Sequence, residues 1–165
     1  MQAIKGKLIL IALLFAVWLG LAHPVDLQEL LAAIGVAVIV GLLPIGNAGV
    51  FAEIRLHPRA IIAALAYGAV FIAELIKANL DVARRVLSPG LPIRPGIVRV
   101  HCSLESSVGR LLLANSITLT PGTITVETKG SDFYIHWIDV QATDAEEASR
   151  RIVRKFERHL EVFCG

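Results

Sequence analysis

Long apolar runs separated by short polar breaks fill the first half of the chain, whereas shorter alternations of apolar and polar positions fill the second. The first run, 4–22, is interrupted only near its start, by Lys5, Gly6 and Lys7. As a helix it reaches roughly 28 Å at about 1.5 Å per residue, enough to cross the hydrocarbon core of a bilayer. Lysines at its end can extend their ammonium groups to the headgroups. Gly20-Leu21-Ala22 would also suit the end of a signal peptide, but a second apolar run follows at once, as a membrane hairpin requires. The segment is therefore expected to stay with the protein. His23-Pro24-Val25-Asp26 breaks the first run, and Asp26 with Glu29 has the form of a capping box for a helix over 27–43.

After Pro44, residues 46–49 read as a loop, which leads through Arg55 and Arg59 into a third apolar run, 60–76. Helical spacing continues to 87: Leu75, Ile76, Leu80, Ala83 and Leu87 share one side, and Lys77, Asp81, Arg84 and Arg85 fill the other. Three crossings would set Lys5, Lys7, Arg55 and Arg59 against Lys77, Arg84, Arg85 and Arg94, a tie under the positive-inside rule. Two crossings with a third, interfacial or re-entrant segment would put all of these on the cytoplasmic face, although 60–76 is uniformly apolar. Both counts stay open.

Small residues recur at four-residue spacing in each run: Ala12, Ala16 and Gly20; Ala33, Ala37 and Gly41; Ala60, Ala64 and Gly68. Such stripes let helix backbones approach closely, a main source of association in lipid, and mark candidate packing faces between helices or subunits. Apart from Glu29 in the first turn of the second run, Glu74 is the one carboxylate inside an apolar run, a position that raises an ion-path or coupling role. Lys77 lies one turn away, so an interfacial ion pair is the plainer reading.

Residues 88–96 hold three prolines and two glycines and divide a membrane domain, 1–87, from a small α/β domain, 97–165. In the latter, 97–102 alternates as a half-buried strand with Val98, Val100 and Cys102 on one face. Ser103 is placed to cap a helix running to about 115. Strands follow at 123–129, where Ile124 and Val126 alternate against Thr125, Glu127 and Lys129, and at 133–140, joined by Gly130-Ser131-Asp132. Thr143 and Glu146 suggest a second capping box, opening a helix to about 163. The order β-α-β-β-α predicts a small sheet covered by two helices, with a core modest enough to lean on the membrane half or on a partner.

Composition agrees with the membrane reading: 55% of residues are hydrophobic, 18% are charged, and the mean hydropathy is +0.68. A net charge of +2, with no aromatic-basic cluster, gives no argument for nucleic acid. Cys102 and Cys164 lack metal or disulfide-framework spacing and read as two small buried thiols. There is no phosphate-cradling loop, metal-ligand motif or nucleophile elbow, and no cofactor is called for. His101 beside Cys102, and His136 with Asp139, sit on alternating strands where a surface or sheet-packed histidine is the common outcome. The segment 113–123, rich in Asn, Ser and Thr and ending in Pro121-Gly122-Thr123, reads as a turn or, more sharply, as a docking element using Asn115, Thr118, Thr120, Pro121 and Gly122.

Several stretches together resemble one family. They are Ala73-Glu74-Leu75-Ile76-Lys77-Ala78-Asn79, Leu87-Ser88-Pro89, Ile93-Arg94-Pro95-Gly96-Ile97, the segment Leu113-Ala114-Asn115-Ser116-Ile117-Thr118-Leu119-Thr120-Pro121-Gly122-Thr123, and Tyr134-Ile135-His136-Trp137-Ile138-Asp139. The sequence is similar to the E subunit of Mrp-type multisubunit sodium/proton antiporters of bacteria and archaea. The resemblance implies an accessory subunit in the cell membrane, partnered by larger antiporter-like subunits that move Na+ and H+, with a cytoplasmic C-terminal domain and no enzyme active site. It equally implies a place in respiratory assemblies, such as membrane-bound hydrogenases, that contain an Mrp-like module. A free-standing membrane-anchored binding module and a membrane enzyme using His101, Cys102 or His136 are the readings it competes with.

Overall fold

The computed structural model describes residues 2–23, 25–43 and 48–164, and the chain divides into two compact units, Met1–Ile54 and Arg55–Gly165. In the first, α1 (Gln2–Leu21) and α2 (Leu27–Leu42) form an antiparallel hairpin. Asp26 caps α2 as expected, its carboxylate accepting from the Glu29 N–H at 2.8 Å. Ala33, Ala37 and Gly41 are buried, and a Cβ added at Gly41 would overlap the Ile11 side chain, so this small-residue stripe is where α2 meets α1. The Trp18 indole N–H donates to Glu29 at 2.9 Å near the turn. Of the expected 46–49 loop, Gly46 and Asn47 lie outside the described residues. A short 3-10 helix, Ala48–Glu53, follows and packs on α1. Lys5 donates to the carbonyls of Ala52 (2.9 Å) and Ile54 (2.8 Å), which returns the chain to the N-terminal end of α1.

The second unit is built on α3 (Pro58–Leu87), which is capped by His57, whose Nδ1 accepts from the Ala60 N–H, and opened by Pro58. Both α1 and α3 contain stretches long and apolar enough to cross a membrane, whereas α2 is shorter. Beyond α3 come β1 (Gly96–His101), α4 (Ser107–Leu119), β2 (Thr123–Lys129), β3 (Asp132–Trp137), α5 (Ala145–Ile152) and α6 (Arg154–Cys164). The sheet is antiparallel in the order β1-β3-β2, so the predicted β2–β3 hairpin forms and β1 adds to its far edge. Val100, Phe133 and Ile135 from the sheet are buried with Leu113 and Ile117 of α4 and with Ala148, Ile152, Val153, Phe156 and Leu160 of the last helices. Cys102 and Cys164 are both buried, as expected.

Four readings need correction. The helix after β1 is capped by Ser106, not Ser103, and runs to Leu119, so Asn115 and Thr118 lie on a helix and not in a turn. The Ser103 N–H is instead taken by the Glu157 carboxylate from α6, a partner 54 residues away. The last helix is capped by Asp144 in place of Thr143, which donates its N–H and hydroxyl to Glu147. That helix divides at Val153, where the Phe156 N–H bonds three residues back and the Val153 side chain is fully buried. Finally, Ile124 and Val126 are exposed and Thr125 turns inward, its hydroxyl donating to the Ala114 carbonyl, with an irregular register between Thr125 and Glu127.

Candidate functional site

α3 joins the sheet domain through one continuous side. Ala60 and Ala63 are buried, and Tyr67 sets its ring edge-on to Phe156 and Phe163 while its hydroxyl bonds Ser116. Two turns later the Glu74 carboxylate takes Lys77 at 2.9 Å and, from α6, Lys155 at 2.6 Å. The side ends at Arg85, which bonds Asp81 on its own helix at 2.7 Å, Asp139 at 2.9 Å and the Pro92 carbonyl at 2.7 Å.

Asp139 is the hub of the linker. It is 6% exposed and receives Arg94 at 3.0 Å and the Gln141 amide at 2.8 Å in addition to Arg85. Backbone bonds reinforce this: Arg94 N–H to the Ile138 carbonyl and Val140 N–H to the Arg94 carbonyl. The Gln141 hydrogen bond, with Arg94 and Arg85 beside it, pulls the Asp139 carboxyl down to about 2 against the opposing effect of burial.

Between these clusters lies a cleft of about 290 Å³ in the second unit. Glu74, Lys77 and Arg85 of α3 line one wall, Thr120-Pro121-Gly122 the second, and Arg151 and Lys155 of the last helices the third. Gly122 has φ +94°, a backbone angle that favours glycine, and a Cβ there would come within 3.1 Å of the Ile138 side chain, which would have to give way. The neighbouring hydroxyls are spent on local structure. Thr120 donates to the Ser116 carbonyl at 2.7 Å, and Thr123 to the Ile117 carbonyl at 2.6 Å. Thr118 lies outside the cleft and accepts from the Thr125 N–H at 3.1 Å, and Asn115 is exposed on α4.

The fold thus brings Glu74 and Lys77 together with Thr120, Pro121 and Gly122, but leaves Asn115 and Thr118 apart. Sequence reasoning missed Lys155 and the Arg85–Asp139–Arg94 cluster, although Arg94 and Asp139 both fell inside the stretches that carried the resemblance. Of the small-residue stripes, Ala12, Ala16 and Gly20 point outward on α1, whereas Ala64 and Gly68 are half-buried on α3. His101 and His136 stand four residues apart along the sheet register, and His101 faces Asp132 at 3.5 Å. Burial pushes the Cys102 thiol up, which makes it a poor nucleophile. Among the described residues no three His, Cys, Asp or Glu side chains converge as metal ligands would.

Residues 11–162 match the family model described as Na+/H+ ion antiporter subunit. The chain belongs to that family. It is 36% identical to the E subunit of the Na(+)/H(+) antiporter of Alkalihalophilus pseudofirmus over 110 residues, 67% of this chain and 70% of that one. To the E1 subunit of the Na(+)/H(+) antiporter of Staphylococcus haemolyticus it is 33% identical over 145 residues, 85% and 87% of the two chains. Among solved structures it resembles a chain of the membrane-bound sulfane sulfur reductase, an archaeal respiratory membrane complex, at 41% identity and a TM-score of 0.79, covering 96% of this chain and 99% of that one. The antiporter-subunit resemblance read from the motifs is therefore borne out over nearly the whole length.

Proposed function

We propose that this antiporter subunit is an accessory membrane component of a multisubunit cation/proton-translocating assembly, with no catalytic centre of its own. The observation that carries the reading is the family match over residues 11–162. Sodium and proton movement then belongs to larger partner subunits. The role of this chain is assembly or coupling through the cleft rimmed by Glu74, Lys77 and the Thr120-Pro121-Gly122 turn. Glu74 already holds two cations, which favours a positioning role for it over a place in an ion path.

The hairpin end bearing Lys5 and Lys7 is also the end from which the chain leaves toward Arg55 and Arg59, while the opposite end carries His23, Asp26 and Glu29. That asymmetry favours a cytoplasmic location for the basic end, and with two crossings the C-terminal domain shares that side.

A specific observation favours a second host. Identity to a chain of an archaeal respiratory membrane complex is 41%, over 96% of this sequence. On that reading the same subunit serves an antiporter-like module coupled to a redox module. Purification from native membranes in mild detergent through a C-terminal tag, with mass spectrometry of what co-elutes, tests both. Large antiporter-like subunits alone support the antiporter, added redox subunits support the respiratory complex, and a chain recovered by itself removes both. Glu74→Gln with unchanged ion-driven activity of the purified assembly would confine Glu74 to structure.

A further inference from the structure

By length and apolarity α3 could cross a membrane, yet along residues 55–74 one of its sides is packed against α6, a helix rich in charged residues. The Arg55 N–H donates to the Phe163 carbonyl at the C-terminal end of α6 at 2.9 Å, and Lys155 near the start of α6 reaches Glu74. α6 therefore runs beside residues 55–74. Its sequence carries Arg154, Lys155, Glu157, Arg158, His159 and Glu161. A crossing α3 would drag these groups to the depth of the acyl chains, where ionisable side chains are expensive.

The opposite side of α3 is open and, apart from Asn79, whose amide donates to the Leu75 carbonyl, mostly apolar. Ile61, Leu65, Ile72, Ile76, Leu80 and Leu87 are each more than half exposed. At 3.6 residues per turn they fall within one arc of roughly 100°, facing away from Tyr67, Glu74 and Arg85. Arg59, Lys77 and Arg84 lie within about 20° of one another along one edge of that arc. The 30-residue helix is also about 45 Å long, against a hydrocarbon core of about 30 Å. An extended apolar stripe edged by cations fits the boundary between headgroups and acyl chains, with the cations at anionic headgroups.

We propose that α3 does not cross but lies in the plane of the bilayer, its outer arc in the headgroup–acyl boundary, and anchors the sheet domain to the membrane surface. The chain then crosses twice, through α1 and α2, consistent with the return of residues 52–54 to Lys5. This rests on the membrane-subunit reading above.

The test uses the full chain in vesicles of phosphatidylcholine and phosphatidylglycerol in equal parts. Single cysteines replace Ile61, Leu65, Ile72, Ile76 and Leu80 in a Cys102→Ser, Cys164→Ser background and carry spin labels, whose depth is read from collision with oxygen against a water-soluble nickel chelate. In-plane placement gives all five one shallow depth. Crossing would separate positions 61 and 76 by about 22 Å along the normal and overturn the proposal. Labels open to the nickel chelate would also overturn it, since the face would then await a protein partner. An independent measurement needs no change in α3: epitope tags at the two ends of the unsubstituted chain should be cut from the same side of the vesicle, and cutting from opposite sides refutes two crossings. Release of the chain by alkaline carbonate would overturn the membrane reading and this inference with it.

Discussion

Lys155 on α6 reaches back 81 residues to donate to Glu74 on α3 at 2.6 Å, and it shares that carboxylate with Lys77, which holds the other oxygen at 2.9 Å. The i,i+3 pair was legible in the sequence, but the second cation is what ties the apolar helix to the sheet domain. With side-chain exposures of 20% and 31%, the Glu74–Lys155 contact is partly shielded from water. A double-mutant cycle with Glu74→Gln and Lys155→Met, read by chemical denaturation, should give a coupling energy of about 1 kcal/mol. Additive single effects would mean the contact does not hold the two helices together.

Asp139→Asn should be the more damaging change. It removes one of the two carboxylates that hold Arg85, whose side chain is 13% exposed, and leaves Asp81 and the Pro92 carbonyl as its partners. A loss of about 1–2 kcal/mol is expected, measured as a shift of the unfolding midpoint. Arg94→Gln should cost less, because Arg94 is 74% exposed.

Acid should loosen the same domain. Asp139 titrates at about 2 in the folded chain, below its ordinary 3.8, through Gln141, Arg94 and Arg85. Glu147 also falls to about 2, from 4.5, through the Thr143 N–H, Arg151 and the Thr143 hydroxyl. The unfolded chain therefore takes up these protons first as pH drops. Their stabilising contribution is whole above about pH 5 and is lost as pH falls through about 2. Unfolding midpoints measured across that window should decline, and in Asp139→Asn the decline should be shallower.

Gly122→Ala should destabilise by about 1–3 kcal/mol, since φ +94° disfavours any side chain and the added methyl meets Ile138. Thermal unfolding of the purified chain reads it directly. Gly130, also at positive φ but with nothing near, should respond less to the same substitution.

In the hairpin, Gly41→Val should weaken α1–α2 packing by about 1–3 kcal/mol, because the new side chain must displace Ile11. Gly20→Val should leave the isolated chain unchanged, as nothing lies within 4 Å of that position. Thermal stability in detergent compares the two, and equal losses would mean that Gly20 is packed as well.

Local features were legible in the residues alone. Apolar period and run length marked the helices, Asp26 the cap of α2, and Gly130-Ser131 the β2–β3 turn, because each rests on interactions within a few residues. The stretches that carried the family resemblance also proved to hold Arg94 and Asp139, which meet 45 residues apart. Which side of each element is covered, by contrast, was settled by contacts between segments far apart in the chain. Ser103 lost its expected capping place because Glu157 takes its N–H from another helix, and Ile124 faces outward because Thr125 bonds α4. The third apolar helix reads as a membrane span by composition, since composition counts residues without regard to angle. Its role was set by long-range contacts at Tyr67, Glu74 and Arg85, which commit one side of it to the sheet domain and leave the other to its surroundings.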